Sequence, residues 1–266
     1  MMRPTVATML FALLAASPAA AQLALPGAVA PSPVGAVERP HASARAARPV
    51  DLAPGVAAIV GHPLLLNGAN GLLQLSGNAK ALRIDRLTLP GEVISDPRQQ
   101  CRIDVVSGAP IETKELGRPD GLIRFEADIP ACPFQFDVLD GAALVPAQTS
   151  ACVFKEADCQ ASPSGLWGGE GGKLAADAKS IEHARSRAES TMIANFRALS
   201  ARLKDRAKAE GVAREQAAFS SQREETCRDY AQEPAHGFCA TRLTEARAAF
   251  LKARADELPQ PASKKR

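Results

Sequence analysis

Residues 216–251, QAAFSSQREETCRDYAQEPAHGFCATRLTEARAAFL, decide how the C-terminal part of the chain folds. An α-helix turns once in about 3.6 residues, so Gln216, Phe219, Arg223, Cys227 and Tyr230 share one side of a first helix. Cys239, Leu243, Ala246 and Phe250 share one side of a second. Pro234 has no amide hydrogen and restricts the residue before it, so the break belongs in the connection through Glu233, Pro234 and Gly237. The first helix then ends near Tyr230, the second starts near Cys239, and Cys227 and Cys239 face each other across the turn.

Upstream of this hairpin, beyond Gly172, Leu174, Ala178, Ile181, Ala188, Met192, Phe196, Leu199 and Leu203 form a helical apolar stripe, interrupted by Arg185 and closed at Gly211. With the two later helices this predicts a three-helix antiparallel unit rich in Ala. Earlier still, between Val56 and Phe154, the apolar period falls to two and Gly, Pro, Asn and Asp punctuate short runs, which is the pattern of an all-β domain. Asn67-Gly68 and Asn70-Gly71 supply turn residues tolerant of positive φ between Leu64–Leu66 and Leu72–Leu75, predicting a hairpin. Leu82 and Ile84 share one phase of alternation while Leu87 and Leu89 share the other, which predicts a bulge near Asp85-Arg86 or two strands. Further strands are expected at 102–106, 111–116, 122–129, 134–139 and 142–145. The fold class is therefore α+β in two modules, an N-terminal all-β sandwich or barrel (53–165) followed by a helical module (166–258).

The termini read differently. Met1 to Ala21 joins Arg3 to the apolar run Met9–Ala16 and the tripeptide Ala19-Ala20-Ala21, the pattern of a Sec-type signal peptide cleaved after Ala21. The run falls short of the roughly 20 residues that span a bilayer, so no stable membrane anchor is expected after cleavage. Residues 22–52 are rich in Ala and Pro with almost no large apolar side chains, and read as a disordered, mildly basic tether. Residues 259–266 read as a frayed basic tail.

An exported chain with six cysteines is expected to form disulfides. Proximity favours Cys101 with Cys132, Cys152 with Cys159, and Cys227 with Cys239. No paired Cys-x2-4-Cys motifs favour zinc, and His236, three residues before Cys239, is the nearest approach to a ligand pair, so neither a metal nor another cofactor is expected. Ser162 to Gly169 reads as a hinge. Trp167 within it, the single tryptophan, either docks against one domain or stands out as an anchor for a partner.

The helical stretch resembles the LprI-type family of lysozyme inhibitors. That family shows Gln-x-x-Trp, an Arg-Asp pair shortly before a cysteine, then Cys-x4-Thr-x2-Arg-x3-Leu. The matching residues here are Gln216, Phe219, Arg223, Glu224, Cys227, Cys239, Thr244, Arg247 and Leu251. Phe219 stands where the family has Trp, and Glu224 where it has Asp. The resemblance covers the C-terminal third and implies a periplasmic or secreted binding module directed at lysozyme. In it, the disulfide-closed connection, with Gln232, Glu233, His236 and Phe238, is expected to be exposed to the partner.

Catalytic patterns are sparse. There is no Gly-x-Ser-x-Gly elbow, P-loop, dinucleotide fingerprint or His-Glu-x-x-His, and Glu224 and Glu225 diverge on their helix, so no enzyme is expected. A net charge of +3 and 4% aromatic residues argue against nucleic acid as a partner. Between Lys173 and Leu258 there are 16 basic and 13 acidic side chains, so the helical module lacks the acidic face that would draw it to a cationic lysozyme. The expected function is an exported, non-enzymatic binding protein that inhibits lysozyme, with an envelope structural or assembly factor binding a protein or glycan through its β domain as the alternative.

Overall fold

The computed structural model describes residues 55–259. The signal-peptide and tether readings, and the basic end of the tail, lie outside them. The polypeptide first forms β1 (Pro63–Leu66), β2 (Asn70–Asn78), β3 (Ala81–Val93), β4 (Gln100–Asp104), β5 (Ile111–Glu115), β6 (Arg124–Ala127), β7 (Phe134–Leu139) and β8 (Ala142–Val145). Three short strands follow, β9 (Cys152–Phe154), β10 (Cys159–Ala161) and β11 (Gly165–Gly168). The helices are α1 (Gly171–Leu174), α2 (Ala178–Arg202), α3 (Arg206–Cys227), α4 (Glu233–His236) and α5 (Phe238–Asp256).

Eight of the strands close an antiparallel barrel in the order β2-β1-β11-β8-β7-β6-β5-β3, with β3 returning to β2. The expected hairpin is present, and both Asn67 and Gly68 at its tip have positive φ. The phase shift along β3 is also a real bulge. Gln74 pairs with Arg86 and Leu75 with Ile84, so Asp85 is the extra residue, and its carboxylate accepts a 2.7 Å hydrogen bond from Ser76 Oγ. Leu82, Ile84, Leu87 and Leu89 are consequently all buried, although their spacing in the chain changes phase. Phe125 and Phe136 stack with centroids 5.6 Å apart, and they fill the barrel with Leu73, Leu75, Val138 and Trp167. Eight strands enclose just enough space for side chains to pack, so this interior is a core.

Beyond its pairing with β2 and β5, β3 runs on and carries a flap. Residues 88–92 pair with β4 and residues 91–93 with β10, which pairs in turn with β9. This overturns two of the expected disulfide pairings. The observed bonds are Cys101–Cys159, joining β4 to β10, and Cys132–Cys152, joining the β6–β7 connection to β9. Nearness in sequence misleads here because the end of β3 recruits both β4 and β10, and so brings together cysteines 58 residues apart. In the chain-entropy account a bridge of either span stabilises by about 3–4 kcal/mol.

The expected hinge at 162–169 is also corrected. Its second half holds β11, which pairs with β8 and β1 and closes the barrel. Trp167 is only 1% exposed and donates its indole N–H to Pro163 O at 2.8 Å, so it is no partner anchor. Here glycine provides clearance. A Cβ on Gly168 would lie 2.7 Å from the Phe238 ring and 2.8 Å from the Tyr230 hydroxyl.

The helices form a C-terminal region packed on the outside of β7, β8 and β11. Leu139, Ala142 and Leu166 meet Ile181, Tyr230, Phe238 and Leu243 there. That second packed face explains why β7 is buried on both sides near its end. The expected single stripe from Leu174 to Leu203 closing at Gly211 is interrupted earlier. Leu203 is extended, Asp205 caps α3 by accepting from Lys208 N, and Gly211 lies inside α3. Helices α2 and α5 run parallel in close contact, with Asn195 Nδ2 donating to Ala248 O at 2.8 Å and Arg202 donating to Ala255 O about two turns further along both helices. Ala188, Thr191 and Asn195 face Thr244 and Ala248 with little bulk between, and the threonine hydroxyls are satisfied by carbonyls four residues back.

No helix among the described residues is long and apolar enough to cross a membrane. Three disulfides fit folding in an oxidising, extracytoplasmic compartment. Peptide mapping without reduction is expected to yield Cys101 linked to Cys159 and Cys132 linked to Cys152. Recovery of a Cys101–Cys132 peptide from refolded, active protein would contradict the flap topology.

Candidate functional site

The residues singled out between 216 and 251 converge on the seam of α3 and α5. The Phe219 ring lies under the guanidinium groups of Arg223 and Arg247, at 5.5 and 5.9 Å. Arg223 Nη1 donates to Thr244 Oγ1 at 2.9 Å, and that hydroxyl donates on to Ala240 O. Arg247 Nε donates to Gln216 Oε1 at 3.1 Å. Leu251 is fully buried with Leu199, Val212 and Ala255. Cys227 and Cys239 are bonded to each other, as their facing positions predicted. Glu224 is the exception, standing exposed at the edge of a cleft. Helical periodicity explains the clustering, since positions three and four apart share a face and both helices turn that face to one another.

The connection from Gln232 to Phe238 is not the exposed loop that the sequence suggested. Gln232 alone of the four expected contacts is exposed, in left-handed conformation with φ 57°. Glu233 turns its carboxylate onto the first turn of α5 and accepts from the amides of Cys239 at 3.0 Å and Ala240 at 2.8 Å. His236 is buried. Its Nε2 donates to Ala231 O at 3.0 Å, and its Nδ1 accepts from the Phe238 amide at 3.1 Å. A ring that accepts at one nitrogen and donates at the other is the neutral tautomer, so the 3.6 Å approach of Glu233 to Nδ1 is no ion pair. Phe238 is buried beneath the Arg242 guanidinium, 5.0 Å from its ring centroid. His236, Phe238 and Trp167 therefore hold the fold together and do not face a partner.

What forces the connection inward is Tyr230. Its ring packs edge-on to His236 and beside Phe238, and its hydroxyl donates to Gly169 O at 2.7 Å. The backbone joins in, with Ala231 N donating to Asn67 O at 2.8 Å and Gly171 N to Gly68 O at 2.9 Å. Burial, and secondarily the neighbouring Glu233, pushes the Tyr230 phenol well above its ordinary value. A second tie is Arg242, which bonds Glu245 at 2.6 Å and Asp140 of the β7–β8 turn at 3.3 Å. Burial pushes the Glu245 carboxyl up despite that cation. Sequence reasoning missed Arg242 because its acidic partner in the barrel lies 102 residues away.

Among the concave surfaces of the described residues, two border these contacts. A cleft of about 680 Å³ is bounded by the start of α2, the end of α3 and α4, with Lys179, His183, Glu224 and Arg228 on its walls. A smaller groove of about 310 Å³ lies between the motif seam and the barrel. Around the larger cleft, Glu182 is engaged by Arg185, Glu233 by backbone amides and both His236 nitrogens by backbone groups. The exposed Lys179 and Arg228 remain as solvent-facing cations. Among the described residues no group of three His, Cys, Asp or Glu side chains is placed to hold a metal ion. No family model, curated protein or solved structure matches the chain.

The protein has a single tyrosine, so the phenolate absorbance near 295 nm reads Tyr230 alone. A raised folded value means that this group's contribution to stability is intact below the unfolded value of about 10 and is lost as pH rises through the folded one. The native protein is expected to titrate above the ordinary range and to return to about pH 10 in denaturant. Ordinary titration in the native state would refute the buried placement.

Proposed function

We propose that the protein is an exported, non-enzymatic binding protein, periplasmic or secreted, whose helical region is an LprI-type module that inhibits a lysozyme. The observation that carries this reading is the meeting of Gln216, Phe219, Arg223, Thr244 and Arg247 in one hydrogen-bonded seam beside the Cys227–Cys239 bridge. These are the residues on which the family resemblance rests, and they build a rigid scaffold. In this reading α2, α3 and α5 act as the antiparallel three-helix unit, with α3 reversing direction between the parallel α2 and α5.

The surface offered to the enzyme is the rim of the larger cleft, where Lys179 and Arg228 are exposed. Glycosidase clefts work with two carboxylates, and rim cations complement them. The nearly balanced charge of the helical region gives little long-range steering, so recognition depends on fit at short range.

A structural or assembly role in the cell envelope is the second reading. Ile94 and Val153, 38% and 45% exposed on the disulfide-stapled flap, favour it by offering apolar side chains to a partner. Capture of an envelope component that is lost when both residues are changed to Ser would support this reading over the first.

The direct test measures inhibition of a hen-type and a bacterial lysozyme by the oxidised protein. The reading expects inhibition at micromolar protein, lost with Cys227→Ser/Cys239→Ser and weakened about tenfold or more by Lys179→Glu/Arg228→Glu, which alters only exposed side chains. Absence of inhibition by the oxidised wild type removes lysozyme as the target.

A further inference from the structure

The smaller groove is walled by Phe219 and Arg223 of α3, by Leu243, Arg247 and Phe250 of α5, and by Leu144 of β8. Arg247 is the unusual member. Its side chain is 13% exposed, and its guanidinium lies 5.9 Å from the Phe219 centroid and 5.1 Å from that of Phe250. Nε is satisfied by Gln216, but Nη2 is enclosed and has no hydrogen-bond acceptor among the described residues. The nearest carboxylate, Glu215, stands 3.8 Å away and is bonded by Arg254 at 2.7 Å. Burial holds the guanidinium below its ordinary value, ahead of the opposing effect of Glu215.

An enclosed N–H of a charged group without an acceptor is unfavourable, and an incoming acceptor recovers that cost. The opposite wall offers no such demand. Asp120 and Asp137 both bond Arg124, at 2.6 and 2.7 Å, so that wall has its cation and keeps a surplus negative charge. An anionic head group is thereby turned toward α5. Between the two walls, Leu144, Leu243 and Phe250 supply apolar surface, and the volume lies within the range of small-ligand sites.

We propose that this groove binds an amphipathic carboxylate, its head group on Arg247 Nη2 and its apolar body against Leu144 and Leu243. Phe250, itself only partly buried, is the side chain that swings to admit the head group.

Octanoate, octylammonium and octanol share a chain and differ in head group. Titrated calorimetrically into the oxidised full chain, octanoate is expected to bind about tenfold or more tightly than the other two. Arg247→Gln is expected to erase that preference and Arg247→Lys to retain part of it. Ala246→Trp, at a half-buried position on the groove wall, is expected to abolish octanoate binding while leaving the thermal midpoint in place. Equal binding of the three probes, no octanoate binding at millimolar concentration, or a preference that survives Arg247→Gln overturns the proposal and leaves Nη2 to a bridging water. Lysozyme takes no part in this titration, so its result and that of the inhibition assay are separately readable.

Discussion

The contact on which the rest depends is that of the Tyr230 side chain with bare backbone, its ring at Gly68 and its hydroxyl at Gly168. A Cβ on Gly68 would come within 2.6 Å of the ring, and φ at that residue is +70°. Only glycine gives both the turn at the tip of the β1–β2 hairpin and room for the aromatic side chain. Once Tyr230 is seated, Ala231 and Gly171 reach the same turn with their amides, and α1 and α4 are fixed at that end of the barrel. His236 and Phe238 then have to face inward, which is why the connection closed by the third disulfide cannot present them to a partner.

The same contact explains how two regions that look independent in sequence come to share a core. Leu139, Ala142 and Leu166 serve the outside of the barrel wall, while Phe125, Phe136 and Trp167 fill its inside. Burying apolar surface from both sides of β7 and β11 is worth roughly 25 cal/mol per Å², and the Arg242–Asp140 bond adds register to a contact that hydrophobic packing alone leaves free to slide. The helical region is thus built onto the barrel, and neither the inhibitor reading nor the envelope reading treats it as a detachable tail.

Local signals were legible where one segment contains all the information. The bulge at Asp85 follows from the alternation of Leu82, Ile84, Leu87 and Leu89, and the Cys227–Cys239 bond from helical spacing about Pro234. The convergence of Phe219, Arg223, Thr244 and Arg247 follows from the same periodicity. What could not be read depends on distant partners. The barrel disulfides require β3 to gather β4 and β10. The glycines around Trp167 carry the composition of a linker, and only the rings of Tyr230 and Phe238 turn them into a strand with clearance. The break at Leu203 was marked by Asp205, a capping residue whose effect is local, but a long apolar stripe running past it hid the signal.

The parallel packing of α2 and α5 has an electrical consequence. Side-by-side antiparallel helices largely cancel their peptide dipoles, whereas here two long helices point the same way and the single α3 running against both offsets only one helix's worth. The helical region therefore carries an uncancelled moment. Its positive pole lies where α2 and α5 begin, and the Glu233 carboxylate, seated on the first amides of α5, is the fixed negative charge that meets it there.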